Sequence, residues 1–278
     1  MSECFSEYYI DNGEIKEKIE FKDDFIKKGK SVYEVIRIKD GIPLFLEEHL
    51  NRLSNSLKLV SKPMISNENN IKRDMEKLII KLKVKEGNIK LVFNYEAEDH
   101  EYIYMIKHNY PAPKVYEKGV DTIFYHGERD NPNAKVINSS FREKVNDEIE
   151  KNRAFEAILV DNNGFMTEGS KSNIFMVSNG TVITSPVSQV LPGVTRGVII
   201  DLLKEAGISF RETQVHYTNI GELDGLFISG TSPKVLPIGK IEEKRFNSAS
   251  NDIINKIMIL YDKKIQEYID NYSGTSNK

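Results

Sequence analysis

The pattern of apolar and polar positions divides the chain into short strands and amphipathic helices. Alternating segments on either side of Asn12-Gly13 and Asp40-Gly41 predict two hairpins, because these dipeptides favour tight turns between paired strands. Leu50, Leu53 and Leu57 then recur at helical spacing and predict a helix with one apolar stripe. The N-terminal part is therefore predicted to combine β-hairpins with helices.

A second amphipathic helix is predicted over NNIKRDMEKLIIKLKVKEG, and we expect it to stop at Gly87. Two strands follow, and then the prolines of PAPKVYEKGV interrupt strand pairing. This break predicts two domains. We place the N-terminal α/β domain at residues 1–112, a linker at 113–119 and a larger C-terminal domain at 120–278.

The C-terminal part restarts the same alternation. EAILVDNNGFMTEGSKSNIFMVSNGTVITSP predicts four short strands separated by Asn-Gly turns. A helix is predicted with Thr195 near its start and Gly207 just past its end, and a long amphipathic helix closes the chain. The fold class indicated is α/β (α+β), in two domains.

Composition narrows the function without identifying it. The 278 residues carry a net charge of -3, which gives no electrostatic case for nucleic acid. A single cysteine, Cys4, supports neither a disulfide framework nor a cysteine-based metal site. No apolar run reaches the roughly 18–20 residues of a membrane span, and the N-terminus has no signal-peptide pattern. We expect a cytoplasmic protein without a membrane or nucleic-acid partner.

Two ionisable residues stand in segments where chemistry is plausible. Lys135, in NPNAKVINSSFREKV, lies where an irregular loop meets an apolar pair, and a desolvated lysine can become a nucleophile. Glu168, in FMTEGSKSNIFMV, follows an apolar strand and could act as a base or pair with a cationic ring nitrogen. Taken alone, each is better explained as a solvated surface residue.

Three further segments could bind an anion. LPGVTRGVIIDLL places a glycine and a hydroxyl before a helix, whose first N–H groups and dipole favour a phosphate. FISGTSP ends an apolar strand with Thr231, and HLNRL contributes Arg52. Helix capping, a β-turn and a solvated arginine are the alternatives. Together, a reactive lysine, a carboxylate, an arginine and an anion-binding helix start are what pyridoxal 5′-phosphate requires.

The motifs VYEVIR, HLNRLSNS, KVIN, TEGSKSNIF, LPGVTR and SGTSP occur in this order along nearly the whole chain. In this respect the sequence resembles the class IV aminotransferases, the fold-type IV enzymes that use pyridoxal phosphate. That family includes branched-chain aminotransferases, D-amino acid aminotransferases and aminodeoxychorismate lyases. The resemblance implies a small N-terminal α/β domain, a larger β-barrel-like domain with helices, and commonly a homodimer.

The resemblance also implies roles for particular residues. Lys135 falls on the lysine that joins the cofactor and catalyses proton transfer, and Tyr33 falls on a substrate-binding tyrosine. Cofactor-binding positions fall on Arg52, Lys135, Glu168, Leu191, Val194, Thr195 and Thr231. No metal is implied.

Three departures leave the substrate open. KKGKSVYEV keeps only Gly29 of the family's usual Phe-Gly-x-Gly, and Asn138-Ser139 stands where branched-chain enzymes carry Asn-Tyr. The loop NYEAEDHEY is acidic and lacks the arginine with which D-amino acid enzymes grip the substrate carboxylate. The function indicated is a transaminase acting on an amino acid, of branched-chain or D-type, and a 2-oxo acid. A pyruvate-releasing lyase and a non-catalytic binding protein on the same fold are the alternatives.

Overall fold

The computed structural model describes residues 2–137 and 139–273. Contacts divide the chain into two compact units, and neither unit is one continuous stretch of sequence. Unit 1 comprises Met1–Asn109, Ala134–Ile137 and Ile265–Lys278, whereas unit 2 comprises Tyr110–Asn133 and Asn138–Lys264.

Unit 1 is built on a six-stranded antiparallel sheet with strand order β2-β1-β6-β5-β3-β4. Its strands are β1 (Tyr8–Asp11), β2 (Glu14–Glu17), β3 (Lys30–Lys39), β4 (Ile42–Pro43), β5 (Glu86–Tyr95) and β6 (Asp99–Ile106). Its helices are the 3-10 turn Lys18–Glu20, α1 (Asp24–Lys27), α2 (Leu46–Leu59) and α3 (Glu68–Leu82).

The apolar stripes of α2 and α3 form the main core of unit 1 together with the sheet. Leu50, Leu53 and Leu57 of α2 are buried, as their spacing predicts, in one cluster with Ile36 of β3 and Leu78 of α3. Burying a leucine side chain stabilises a fold by roughly 1.5–3 kcal/mol. The stripe therefore fixes which face of α2 meets β3.

Turn chemistry explains the two predicted hairpins, which are both confirmed. Asn12-Gly13 and Asp40-Gly41 adopt positive φ at both residues, as a two-residue hairpin turn requires. The predicted stop of α3 at Gly87 is wrong. The helix ends at Leu82 because Lys83 adopts a left-handed conformation with φ 52°, and Gly87 lies inside β5.

Unit 2 contains a mixed sheet and most of the remaining helices. Its strands are β7 (Val120–His126), β8 (Glu156–Val160), β9 (Phe165–Gly169), β10 (Asn173–Ser178), β11 (Thr181–Thr184), β12 (Phe210–Glu212), β13 (Val215–His216), β14 (Gly225–Gly230), β15 (Lys234–Ile241) and β16 (Lys244–Arg245). Its helices are α4 (Pro113–Lys118), α5 (Ser139–Lys151), α6 (Val194–Glu205) and α7 (Asp252–Asp270), with 3-10 turns at Val187–Gln189, Tyr217–Glu222 and Ser248–Ser250.

Six strands of unit 2 close into a barrel. Pairing runs from β10 through β14, β15, β7, β8 and β9, and β9 pairs back onto β10. The pairs β15–β7 and β7–β8 are parallel and the others in the ring are antiparallel. The barrel-like character expected of the second domain is thus confirmed, and closure leaves these six strands without a free edge.

Two segments that the sequence boundaries assign to the second domain belong to unit 1. The backbone of residues 134–137 pairs with β3, since Tyr33 N donates to Lys135 O at 3.1 Å and Ile137 N donates to Ser31 O at 3.0 Å. The last turns of α7 also belong there, where the Tyr268 hydroxyl donates to Glu47 at 2.6 Å. Long-range pairing, which local patterns do not encode, produces this difference.

The segment predicted as a linker is ordered as well. Pro113 occupies the first turn of α4, where a missing N–H costs nothing, and Gly119 ends the helix with φ 75°. Across residues 2–137 and 139–273, no helix has the length and apolarity that a membrane span needs. The same residues contain no cluster of three or more potential metal ligands from His, Cys, Asp and Glu.

Candidate active site

The backbone N–H and C=O groups of Lys135 are both hydrogen-bonded within unit 1. Its carbonyl accepts from Tyr33 N of β3, and its own N–H donates to the Ser56 hydroxyl of α2 at 3.2 Å. The side chain is directed at the ring of Tyr33, whose centroid lies 4.7 Å from Nζ. The structure therefore brings Lys135 and Tyr33 together, and it anchors the lysine to a strand and a helix rather than leaving it on a loose loop.

Arg52 lies one helical turn before Ser56 on α2, and it is buried. Its Nε donates to Oε1 of Glu34 at 2.8 Å, and its Nη2 donates to Oε2 of the same carboxylate at 2.5 Å. His49, one turn earlier on α2, places Nδ1 2.7 Å from Glu34 Oε2. Unit 1 thus assembles Arg52, Glu34 and His49 into one buried network beside Lys135.

The protonation states in this network follow from burial and charge. Burial raises the pKa of Glu34, but the Arg52 guanidinium and the His49 hydrogen bond outweigh it and bring that pKa down to about 2. Burial lowers the pKa of His49 below its ordinary value, against the opposing effect of Glu34. Glu34 is therefore ionised and His49 is neutral near pH 7, so His49 Nδ1–H donates to Glu34.

A second lysine amine lies near the ring of Tyr33. Lys90 of β5 is buried, its Nζ lies 4.8 Å from the Tyr33 centroid, and it pairs with Glu3 at 2.5 Å. Cationic groups are attracted to an aromatic face. The ring of Tyr33 therefore lies near two lysine amines, of which that of Lys90 is already paired with Glu3.

In unit 2, Glu168 lies near the end of β9 and is 2% exposed. Its Oε1 accepts from Arg129 Nε at 3.0 Å. Its Oε2 accepts from the backbone N–H of Leu191 at 3.1 Å and from Asn173 Nδ2 at 3.4 Å. Three donors, one of them a guanidinium, therefore hold this carboxylate in place.

Glu168, Leu191 and the start of α6 are connected through Asn173. Besides contacting Glu168, Asn173 Nδ2 donates to Leu191 O at 2.9 Å. Asn173 also packs so closely on Gly193 that a Cβ there would lie 2.0 Å from its Oδ1. Gly193 is thus required by close approach, and it is the residue from which α6 begins at Val194.

The predicted phosphate-binding residues Val194 and Thr195 form the first turn of α6, and both are buried. Their position confirms that the LPGVTR motif opens a helix, whose N–H groups and dipole favour an anion. Thr231 lies in the turn between β14 and β15 and is partly exposed. That turn adjoins the Glu168 region, since a Cβ on Gly230 would lie 3.5 Å from Lys171 O.

A second carboxylate supports the turn that follows Glu168. Glu156 of β8 is buried and accepts from the backbone N–H groups of Ala157, Ser170 and Lys171 at 2.9, 3.1 and 3.3 Å. It also accepts from the hydroxyls of Ser170 and Ser172 at 2.5 and 3.0 Å. The turn joins Glu168 to Asn173, which are also cross-strand partners, so Glu156 fixes the spacing of both.

Sequence reasoning missed the residues that hold the predicted ones in place. They are Glu34, His49, Arg129, Glu156 and Asn173. The YE of VYEVIR and the FEAILV segment contained these carboxylates, but glutamate is mostly exposed and nothing local indicated burial. Of the predicted residues, unit 1 assembles Tyr33, Arg52 and Lys135, and unit 2 assembles Glu168, Leu191, Val194 and Thr195. Asn138, three residues after Lys135 in sequence, lies outside the described residues.

Comparison with known proteins places this geometry in context. A protein of Methanocaldococcus jannaschii assigned as a branched-chain-amino-acid aminotransferase is 31% identical over 255 residues, which cover 86% of this chain and 88% of that protein. A D-alanine aminotransferase of Bacillus licheniformis is 26% identical over 261 residues, which cover 88% of this chain and 92% of that enzyme. The two relatives carry different substrate names, so similarity alone does not select a substrate.

Solved structures agree on the fold. The structure of a branched-chain aminotransferase from the archaeon Thermoproteus uzoniensis with norvaline matches with a TM-score of 0.84 and 20% identity. The match covers 95% of this chain and 96% of that chain. The model of the family described as amino-transferase class IV matches residues 31–241. This range includes Tyr33, Lys135 and Thr231, and the chain belongs to the class IV aminotransferase family.

Proposed function

We propose that this chain is a pyridoxal phosphate-dependent transaminase, with Lys135 as its catalytic residue. The observation that carries the proposal is the placement of the Lys135 amine 4.7 Å from the Tyr33 ring centroid, with the lysine backbone bonded to β3 and α2. A lysine fixed in this way can present one amine repeatedly to a small ligand. Membership of the class IV family supports the same assignment.

The donor set in each unit fits this cofactor. Unit 1 offers an amine for its aldehyde and, through Arg52, a guanidinium for its phosphate. Unit 2 offers Glu168, an anchored carboxylate suited to a protonated pyridine nitrogen, and the N-terminal turn of α6 for a phosphate. When bound, pyridoxal phosphate supplies an aldehyde that condenses with amines and a ring that accepts electrons.

We propose the following roles for the chain's own residues. Lys135 Nζ takes the proton from Cα of the amino acid as a general base. Glu168 supplies negative charge held in place by Arg129, Asn173 and the Leu191 N–H. Leu191, 8% exposed, offers an apolar side chain for one face of a planar ring. Tyr33, beside two lysines, is proposed to help bind the substrate carboxylate.

The substrate is proposed to be an amino acid of the branched-chain or D-type, with a 2-oxo acid as acceptor. The acidic residues Glu96, Glu98 and Asp99 of the β5–β6 hairpin would disfavour dicarboxylates if that hairpin borders the site. Kinetics with D- and L-amino acids against several 2-oxo acids tests this. Faster turnover of dicarboxylates than of apolar amino acids would contradict the proposal.

The decisive variant is Lys135→Ala. The parent protein, purified with the cofactor, is expected to show visible absorbance and turnover, and the variant is expected to lack both. Borohydride reduction followed by peptide mass spectrometry should place the cofactor adduct on Lys135. Retention of the adduct and of turnover in Lys135→Ala would refute the assignment.

Product analysis separates a transaminase from a lyase. A transaminase forms a 2-oxo acid only when an amino acceptor is supplied, whereas a lyase releases pyruvate from aminodeoxychorismate without one. We expect acceptor dependence. We also propose a homodimer in the cytoplasm, which light scattering coupled to size exclusion and cell fractionation would test.

A further inference from the structure

Glu34 has no atom at the surface of unit 1, and yet it is charged. It is 0% exposed, lies on β3, and is enclosed by Arg52 and His49 of α2. It stands next to Tyr33 in sequence, whereas its own side chain takes no part in the chemistry proposed above. A buried carboxylate is costly unless a cation and hydrogen bonds offset its desolvation. Its presence therefore calls for a role beyond packing.

The geometry of the pair is specific. The two oxygens of Glu34 engage Nε and Nη2 of Arg52 at 2.8 and 2.5 Å, which is a two-point contact along one edge of the guanidinium. The guanidinium is planar and has five N–H donors in a fixed fork. Fixing one edge therefore fixes the plane of the group and the direction in which the Nη1 hydrogens point, away from Glu34.

His49 limits how Glu34 itself can move. Its Nδ1 lies 2.7 Å from Oε2, on the same carboxylate oxygen that Arg52 Nη2 engages. Both residues project from α2, three positions apart, so one helix face supplies both contacts. The neutral imidazole adds a hydrogen bond without adding charge, and the carboxylate is held by α2 from two directions.

We propose that Glu34 is the positioning residue for Arg52, holding the plane of the guanidinium in the orientation in which it binds a phosphoryl oxygen of the ligand. This inference rests on the proposed function, in which Arg52 binds the cofactor phosphate. An arginine otherwise loses considerable side-chain entropy when it binds an anion. Because Glu34 already orders the Arg52 side chain in the folded protein, phosphate binding does not carry that entropy cost.

The test uses two ligands that differ only in the phosphate, pyridoxal phosphate and pyridoxal. Both react with amines through an aldehyde, although pyridoxal is partly closed to an internal hemiacetal through its free 5′-hydroxyl. That cost is the same for every variant, so the change in the ratio of the two Kd values relative to the parent protein isolates the phosphate contribution. The chain has no tryptophan, so we would titrate the apo protein by near-ultraviolet and visible absorbance. The variants are Glu34→Gln, Glu34→Asp and Arg52→Gln, each checked for native circular dichroism.

Glu34→Gln replaces one acceptor oxygen with a donor that faces Arg52. We expect pyridoxal phosphate affinity to fall by about tenfold, the scale of one lost charge-assisted hydrogen bond, while pyridoxal affinity changes less than about twofold. Glu34→Asp retains the charge but withdraws it by one methylene, and it should show a smaller loss of the same kind. If Glu34→Gln does not fold, Glu34→Asp provides the same comparison of the two affinities.

Glu86→Gln is the matched control, because Glu86 pairs with Arg37 in the same sheet at 3.8 Å but is 48% exposed. It should leave both affinities unchanged. The double variant Glu34→Gln/Arg52→Gln should bind pyridoxal phosphate no more weakly than Arg52→Gln, since Glu34 acts only through Arg52.

The outcomes separate the two proposals. Equal weakening of both ligands in the Glu34 variants, or no weakening of either, would overturn the positioning role. If Arg52→Gln leaves the ratio of affinities unchanged, the assignment of Arg52 to the phosphate fails instead. A selective loss of pyridoxal phosphate affinity in both Glu34 and Arg52 variants, without further loss in the double variant, supports the inference.

Discussion

Glu34 in unit 1 and Glu156 in unit 2 are both buried carboxylates beside predicted cofactor contacts, but their charges are neutralised differently. Glu34 faces a guanidinium and an imidazole, both supplied by side chains of α2. Glu156 faces no cation among its hydrogen-bond partners in the described chain; three backbone N–H groups and two hydroxyls donate to it. One is an ion-pair network and the other is a set of neutral dipoles.

The difference shows what each carboxylate can control. A carboxylate paired with one guanidinium orients that side chain, so Glu34 determines how Arg52 is presented. A carboxylate bonded to successive backbone N–H groups shapes the chain itself, so Glu156 determines the turn between Glu168 and Asn173. Substitution of Glu34 should therefore act through charge, and substitution of Glu156 through backbone geometry.

The largest expected effect is the loss of Arg52. Arg52→Met should lower the free energy of unfolding of the apo protein by about 3–5 kcal/mol, because it leaves Glu34 charged and buried without its cation. Urea unfolding measures this. Arg73→Met is the control, since Arg73 is 60% exposed in its pair with Asp74 and should cost below about 1 kcal/mol. Equal losses in the two variants would show that the Glu34 network is not charge-dominated.

Acid should weaken the Glu34 network specifically. Since the folded pKa of Glu34 is about 2 and its unfolded value is 4.5, the stabilisation is complete above pH 4.5 and is lost as pH falls toward 2. The parent should therefore lose about 2 kcal/mol more than Glu34→Gln between pH 5 and pH 3. Urea titrations at each pH provide the measurement. Parallel curves for the two proteins would contradict the ion-pair description.

Replacement of Glu156 should have a smaller effect on stability. Glu156→Gln turns one acceptor into a donor that faces N–H and O–H groups, at a cost of about 1–2 kcal/mol. Hydrogen exchange at the amides of Ser170 and Lys171 should accelerate, because those amides donate to the carboxylate. Glu117→Gln, at an exposed position of unit 2, is the control. Unchanged exchange in Glu156→Gln would mean that the turn is held by other contacts.

The smallest expected effect concerns a hydroxyl in the barrel. Ser229 Oγ is buried without a hydrogen-bond partner in the described chain, and Ser229 is the cross-strand partner of Asn173. Ser229→Ala should leave the unfolding free energy unchanged or raise it by up to about 1 kcal/mol. Ser185→Ala should instead lower it by about 1 kcal/mol, because Ser185 Oγ donates to Met166 O. Thermal unfolding of both variants checks the opposite signs.

Local chemistry allowed much of the fold to be predicted. Asn12-Gly13 and Asp40-Gly41 favour positive φ, so their hairpins were predictable, and the leucine spacing of α2 was sufficient for that helix. The end of α3 was not predictable in this way. Its left-handed residue is Lys83, a type that rarely adopts that conformation, and Gly87 was the more obvious stop.

The candidate site likewise contains residues that local motifs predicted and residues that depend on long-range contacts. Motif order was sufficient to propose Lys135, Arg52 and Glu168, and these roles stay predictions that the experiments above test. The residues that hold them, Glu34 and Glu156, were not predictable because a glutamate is buried only when distant parts of the chain supply donors. Barrel closure, which sets Glu168 opposite Asn173, likewise depends on pairing that appears only in three dimensions.

Unit 1 is composed of three separate segments of the chain, and Ala134–Ile137 is the second of them. A gene cut after residue 109 would therefore encode Arg52 and Tyr33 in one fragment and Lys135 in the other. The first fragment would expose the edge of β3 that Val136 normally pairs with. Given the catalytic role proposed for Lys135, each half alone should be inactive, and restored turnover on co-expression would report their reassembly. This division is therefore a starting point for a split-enzyme sensor.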